Sequence, residues 1–329
     1  MEKVLWGILS TSKFAARATI PAMQKSKYSE VRAIASRNID SAAKAGKDLK
    51  IPKVYGSYES LLSDPEVNAV YIPLPNHLHV DWTLNALKAG KHVLCEKPIG
   101  LNYADAQRLA NASKDFPRLK LMEAFMYRHH PQWAKVKELV AQKAIGEIKS
   151  VYSVFSYYND DTSNIRNIAE AGGGAMLDIG CYCTSLSRFV FGREPRRVMA
   201  HVEYDPHTKV DRFASALLDF GSGTASFSTG TQMQPYQTVD IHGTQGRIEM
   251  EIPFNAPNDR PTRMWLQKGS AKEELQFDVC DQYTIQADLF AEAILNNGDV
   301  PTPIEDAMAN MKVIDAVKES STRESWVEL

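Results

Sequence analysis

The feature that most constrains the fold is an alternation. Between Val4 and Ala124, short β-like runs alternate with helical stretches, the pattern of a doubly wound parallel sheet. The runs are Val4–Leu9, Val31–Ser36, Lys53–Gly56, Ala69–Leu74, His92–Glu96 and Leu119–Ala124. Between them lie Lys13–Gln24, Ser41–Leu49, Leu78–Ala89 and Ala104–Lys114. Asn102 has the chemistry of an N-cap, and Gly90 that of a glycine closing a helix. Past Leu121 the texture changes. A helix over Gln132–Gln142 is followed by a strand over Ile148–Tyr158, the triplet Gly172-Gly173-Gly174 and a helix from near Leu177. From Arg197 to Phe277 the pattern is mostly β, with turns such as Gly221-Ser222-Gly223 between antiparallel partners. Helices over Gln282–Asn296 and Ile304–Lys318 close the chain. The expected class is α/β: a Rossmann domain over residues 1–123, then an α+β domain over 124–329 on a large, mostly antiparallel open sheet.

At 329 residues, the chain has room for about two such domains. Hydrophobic content of 44% and charged content of 24% are ordinary for a globular protein, and the net charge of -2 gives no electrostatic case for nucleic acid or an anionic membrane. No apolar run approaches the ~20 residues that span a bilayer. The N-terminus passes from Met1 into a strand pattern without the features of a signal peptide. Cys95, Cys181, Cys183 and Cys280 show neither a CxxC pair nor Cys/His ligand spacing, so no metal is expected. As free thiols they suit a reducing compartment, and the cytoplasm is the default.

Ligands of open α/β sheets bind beyond the carboxyl ends of the strands, so those ends carry the chemistry. The turn after the first strand reads Gly7-Ile8-Leu9-Ser10-Thr11-Ser12-Lys13-Phe14-Ala15. Serines stand at Ser10 and Ser12, where a dinucleotide turn places glycines, yet small residues still admit a pyrophosphate, and a helix from Lys13 adds N–H groups. The second strand ends in Ala35-Ser36-Arg37-Asn38, with no carboxylate for a ribose 2′-hydroxyl. Ser36 and Arg37 suit a 2′-phosphate, which favours NADP; Asp40 lies just beyond, so NAD stays possible. The fourth strand ends in Leu74-Pro75-Asn76-His77-Leu78-His79, bordering the same crevice; Asn76 either caps the next helix or touches the nicotinamide ribose.

The fifth strand ends in Glu96-Lys97-Pro98. Proline restricts the residue before it and fixes where Lys97 points. The second chemical segment runs Gly172-Gly173-Gly174-Ala175-Met176-Leu177-Asp178-Ile179-Gly180-Cys181-Tyr182. Asp178 and Tyr182 are four apart and share one face if the segment is helical. A tyrosine suits hydride transfer at a carbinol carbon, because the oxygen must gain or lose a proton as the hydride moves. Free tyrosine titrates near ~10, and an ammonium such as Lys97 beside it would lower that value.

These motifs together resemble the Gfo/Idh/MocA family, which includes glucose–fructose oxidoreductase and inositol dehydrogenase. The resemblance spans nearly the whole chain and rests on Glu96-Lys97-Pro98, Leu74-Pro75-Asn76-x-x-His79 and the glycine triplet with Asp178 and Tyr182. It implies a catalytic Lys97, an acid/base Tyr182 and a hydroxyl-binding Asp178. Tyrosine rather than histidine at 182 is similar to the sugar ketoreductase, sugar dehydrogenase and dihydrodiol dehydrogenase branch. The segment around Arg128, the Asn164-Ile165-Arg166 run and Asp281-Gln282-Tyr283 also resemble that branch, which implies substrate contacts for Arg128, Arg166 and Tyr283, in a cleft between the domains, or structural ties at the same positions. The cofactor set implied is Ser10, Thr11, Ser12, Lys13, Phe14, Ser36, Arg37, Leu74, Pro75, Asn76, His79, Glu96 and Lys97. The expected activity is NADP-dependent oxidation or reduction of a sugar or related cyclic polyol. The rivals are a trans-dihydrodiol dehydrogenase, a redox-assisted NAD-dependent glycosidase and a non-catalytic dinucleotide-binding sensor; an intact Lys97 with Tyr182 argues against the last. The exposed face of the antiparallel sheet predicts a homodimer or dimer of dimers.

Overall fold

Short apolar strands buried on both faces belong to a parallel sheet covered by helices. The computed structural model describes residues 2–329; Met1, where the first domain is expected to begin, lies outside the described residues. The first sheet contains β1 Val4–Leu9, β2 Ser29–Ala35, β3 Lys53–Tyr55, β4 Ala69–Ile72, β5 His92–Glu96 and β6 Leu121–Ala124. All neighbours are parallel, in the order β3-β2-β1-β4-β5-β6. This is the Rossmann order, with its direction reversing beside β1. The helices are α1 Lys13–Arg17, α2 Thr19–Lys25, α3 Ile39–Leu49, α4 Tyr58–Leu62, α5 His79–Lys88 and α6 Tyr103–Ser113. Asn102 caps α6 by accepting from Asp105 N at 2.9 Å, and Gly90 follows α5 with φ of 74°.

The expected helix over Lys13–Gln24 is two helices, broken at Ala18. Pro21 explains the break: it has no N–H for the carbonyl of Arg17, and its ring clashes there.

The second sheet contains β7 Ile148–Tyr158, β8 Arg197–Tyr204, β9 Asp211–Asp219, β10 Thr224–Gly230, β11 Gln232–Gly243, β12 Arg247–Met250, β13 Thr262–Lys268, β14 Ala271–Phe277 and β15 Val327–Glu328. Its order is β14-β13-β12-β11-β7-β10-β9-β8-β15. β7 and β10 run parallel and the other neighbours antiparallel, so the sheet is mixed but mostly antiparallel. Before it comes α7 Pro131–Ala141; between β7 and β8 comes α8 Cys181–Phe191, which lies on β7 and β10. The sequence places one helix from near Leu177, but a π-helical turn, Met176–Gly180, leads into α8. After β14 come α9 Gln282–Leu295 and α10 Ile304–Arg323. Among the described residues, no helix is long and apolar enough to cross a membrane.

The chain forms two compact units. One takes the residues up to Met126 together with Asp281–Met308; the other takes Tyr127–Cys280 and Ala309–Leu329. The sequence suggests a single cut after residue 123, whereas α9 returns to the first unit. The reason is burial: Ala287, Phe290 and Ala291 join Val4, Trp6, Ile8, Ile20 and Met23 in one apolar core. Phe290 meets the Trp6 ring at 5.7 Å between centroids. Phe290→Ala is therefore expected to cost about 3–5 kcal/mol by emptying a filled site. Urea unfolding checks this; a loss below about 1 kcal/mol would mean that α9 is not part of that core.

Candidate active site

In the first unit the sequence-predicted cofactor residues converge. Ser10–Phe14 follow β1, Ser36 and Arg37 follow β2, Leu74–Asn76 follow β4, and Glu96 and Lys97 end β5. These are four adjacent strands, so the four loops share the carboxyl edge at the switch point. Ser10 has φ of 155°, in the region that favours glycine, so the turn keeps a glycine-like path with a serine in it. Ser12 caps α1, accepting from Ala15 N at 3.5 Å. Arg37 is exposed and sits beside Tyr58, which in turn packs edge-on against Trp82 at 4.8 Å.

The Glu96-Lys97-Pro98 loop is braced from beneath. Tyr71, fully buried in β4, donates to Glu96 Oε1 at 2.6 Å. Its single phenolic proton is used there, so Thr19 Oγ1, 3.0 Å away, donates to Tyr71. Lys97 N donates to Glu96 Oε2 at 3.3 Å, and the Lys97–Pro98 peptide is cis. Glu123 Oε1 accepts from Ile99 N at 2.7 Å. Lys97 itself is half-buried.

His79, expected in the cofactor set, holds two loops of the carboxyl edge together. It is fully buried. Nδ1 lies 2.7 Å from Pro98 O and Nε2 lies 2.8 Å from Leu74 O. The ring thus ties the Lys97 loop to the Leu74 loop. Burial pushes its pKa down to about 4, against the pull of the two carbonyls, so the ring is neutral at pH 7 and one carbonyl faces a lone pair.

Tyr283 is also relocated. The sequence groups it with the substrate domain, but it opens α9 in the first unit, its N–H accepted by the Asp281 cap at 3.0 Å. Its ring meets Phe14 edge-on at 5.9 Å. Burial first, and then Glu96, push its phenol well above the ordinary value.

In the second unit, Asp178 lies on the π-helical turn and Tyr182 in the first turn of α8. Arg166 Nε donates to Asp178 Oδ2 at 2.9 Å. Tyr157 Oη donates to the same oxygen at 2.6 Å. Sequence reading missed Tyr157. Its signal was strand alternation: it lies two residues beyond the buried Phe155, on the same face of β7. Burial and then the Asp178 charge push the Tyr157 phenol up, so it stays protonated and donates. Asp178 raises the pKa of Arg166, which keeps its charge. Gly173 is required beside this pair, since a Cβ there would lie 2.4 Å from Arg166 O.

Tyr182 is 5% exposed, walled by Tyr127 at 5.6 Å and by Phe155 and Phe254 at 5.5 Å each. Arg128, expected either at the substrate or as a structural tie, bonds to α8. Its Nη2 donates to Ser185 Oγ at 2.7 Å, and its guanidinium lies 5.5 Å from the Phe189 centroid. The physical reason is proximity in the fold: Tyr127 Oη meets the same Ser185 Oγ at 2.7 Å.

A Rossmann sheet with polar loops at its switch point, and a separate turn bearing a carboxylate and a phenol, define a dinucleotide-using oxidoreductase. Comparison with known proteins agrees. Residues 4–124 match the oxidoreductase family with an NAD-binding Rossmann fold, and residues 133–249 match the GFO/IDH/MocA C-terminal domain. An uncharacterized oxidoreductase of Rhizobium meliloti is 41% identical, with 99% of each chain covered. A D-xylose 1-dehydrogenase (NADP(+)) of Haloferax volcanii is 37% identical, over 99% of this chain and 100% of its own. Among solved structures, a 3-ketoreductase from Actinomadura kijaniata in complex with NADP and TDP-benzene superposes with a TM-score of 0.91 at 31% identity, covering 97% of this chain and 98% of that one. The chain belongs to the GFO/IDH/MocA oxidoreductase family.

His79→Ala is expected to cost about 2–4 kcal/mol, from lost packing and a buried carbonyl left without a donor. It should also change the pH response. The folded-state pKa lies below the ordinary histidine value of 6.5, so the wild type loses stability as pH falls from about 6.5 towards 4. Urea midpoints at about pH 7 and pH 5 should therefore converge between wild type and variant; a constant gap would rule out a neutral buried ring.

Proposed function

We propose that this protein is an NADP-dependent oxidoreductase that moves a hydride between nicotinamide and a carbinol or ketone carbon of a sugar or related cyclic polyol. The observation that carries the reading is the occurrence in one chain of two features: a braced lysine at the end of β5, and an Asp178–Arg166–Tyr157 cluster one turn from Tyr182. The names of the Haloferax and Actinomadura relatives support the substrate class and NADP.

The residues present fit the cofactor. The turn after β1 is built from small residues along a glycine-like path, and an exposed arginine stands where a 2′-phosphate would lie. Ser10, Thr11, Ser12, Lys13 and Phe14 would hold the pyrophosphate end. Ser36 and Arg37 would hold the 2′-phosphate, and Leu74, Pro75, Asn76 and Glu96 would border the nicotinamide end. When bound, NADP supplies or takes up the hydride. Tyr182 moves the proton at the carbinol oxygen. Lys97 orients the reacting hydroxyl of the substrate. Asp178 accepts a hydrogen bond from a neighbouring ring hydroxyl, and Arg166 and Tyr157 hold its carboxylate in place. Four free cysteines support the cytoplasm as the compartment.

The test is reduced-nicotinamide absorbance with NADP and NAD across aldoses, inositols and aromatic dihydrodiols, run in both directions. Turnover of a polyol ring with NADP is expected. Turnover of dihydrodiols alone, or release of free sugar from a glycoside without net cofactor change, would contradict the reading. Arg37→Ala should raise KM for NADP by about 10- to 100-fold and leave NAD nearly unchanged, the effect of losing a charge-assisted phosphate contact.

The second sheet also supports a homodimer. Tyr152, Tyr204, Leu217 and Tyr236 are large apolar side chains exposed on its strands. A dimer mass by light scattering is expected, with Leu217→Glu shifting it to monomer. A monomeric wild type would contradict this.

A further inference from the structure

Asp211 opens β9, is 3% exposed, and lies outside the candidate active site. Its carboxylate faces the start of the π-helical turn. Oδ2 accepts from Met176 N at 2.5 Å, and Ala175 N also bonds to the carboxylate. The first amides of a helical segment have no partners within it, and here a strand from elsewhere in the chain supplies the acceptor. Gly174 completes the device. It has φ of 114°, and a Cβ built on it would lie 2.1 Å from Asp211 Oδ1, so the carboxylate occupies the space a side chain would take. Asp178 N, in turn, donates to Gly174 O at 3.0 Å.

We propose that Asp211 is a positioning residue: its buried carboxylate clamps the first amides of the π-helical turn and so fixes Asp178 relative to Tyr182. The extra residue of a π-turn rotates the residues on its N-terminal side against those on its C-terminal side. In a plain α-helix Asp178 and Tyr182 would stack one above the other; here their relation depends on how the turn is anchored at its start. This rests on the reading of Tyr182 and Asp178 as the reacting pair.

Stability does not explain the carboxylate. Burial pushes its pKa up to about 6, although the turn amides and Lys318 pull the other way. Its charged form is thus disfavoured in the folded protein. The titratable groups facing it are Lys318 on α10 and Tyr204 on β8. The sign comes from linkage. With a folded pKa above the unfolded one, the native state binds more protons between about pH 4 and 6, so Asp211 favours the fold more as pH falls. The same protonation removes the negative charge and puts a proton on one oxygen, so the charge-assisted bonds from the turn amides weaken.

Asp211→Asn tests the assignment. At about pH 7.5 kcat should fall 10- to 100-fold, the scale of a small misplacement of reacting groups, with KM for the dinucleotide within about twofold. Wild-type kcat should fall as pH drops through about 6, while the stability of the wild type relative to D211N rises over the same interval; D211N should lack that limb in kcat. Amide exchange of Met176 in the wild-type protein, corrected for its intrinsic rate, should accelerate below that pH, and this readout needs neither turnover nor a folded variant. Wild-type kcat in D211N with the acid limb intact, or protection of the Met176 amide that is independent of pH, would overturn the proposal. Absence of turnover on every ring substrate, with the exchange result as expected, would count against the proposed reaction and not against the clamp.

Discussion

Strand β1 is the constraint on which the first unit depends. Its neighbours β2 and β4 both run parallel to it; the chain goes outward from β1 through β2 and β3, crosses back to β4 on the other side, and runs outward again in the opposite direction. Two outgoing loops cannot cover one edge in that arrangement, and a crevice opens at the carboxyl end. The buried Trp6, Ile8 and Phe290 hold that strand in a core closed from below, so the polar groups gather at the end that stays accessible. Tyr71 and His79 then fix the crevice's far wall by bonding Glu96 and the carbonyls of Leu74 and Pro98. Lys97 is placed by buried neighbours rather than by its own contacts with water.

The second unit meets the opposite problem, which is to keep charged and phenolic groups ordered inside a mostly apolar helix and sheet. Its answer is mutual satisfaction. Asp178 Oδ2 takes bonds from Arg166 and Tyr157, Arg128 is taken up by Ser185, and the aromatic walls around Tyr182 leave its ring little freedom. Buried polar groups in such a network are costly when one member is lost.

Much of this was legible in the sequence. Strands β1, β5 and β7 begin and end where the apolar runs do, because their residues are buried at nearly every step or alternate cleanly. The strand-end motifs were legible for the same reason: once the parallel order is known, the loops after β1, β2, β4 and β5 must share an edge. The features that were not legible depend on tertiary neighbours. Pro21 splits α1 from α2, although the surrounding residues favour helix. Tyr283 comes after the second sheet in sequence, yet α9 packs in the first unit's core. Tyr157 and Asp211 look like ordinary strand residues until their partners, more than twenty residues away, are known.

The central proposal is that Lys97 and Tyr182 serve the chemical step, Lys97 from its place among the cofactor residues at the end of β5. The most direct measurement is a pair of experiments on Lys97→Ala and Tyr182→Phe: fluorescence titration with NADPH, and single-turnover hydride transfer from the bound cofactor to a keto-sugar. The account predicts dinucleotide affinity within about threefold of wild type and hydride transfer slowed at least 100-fold in each variant, the scale of a lost general acid/base. Hydride transfer at the wild-type rate in either variant would contradict it.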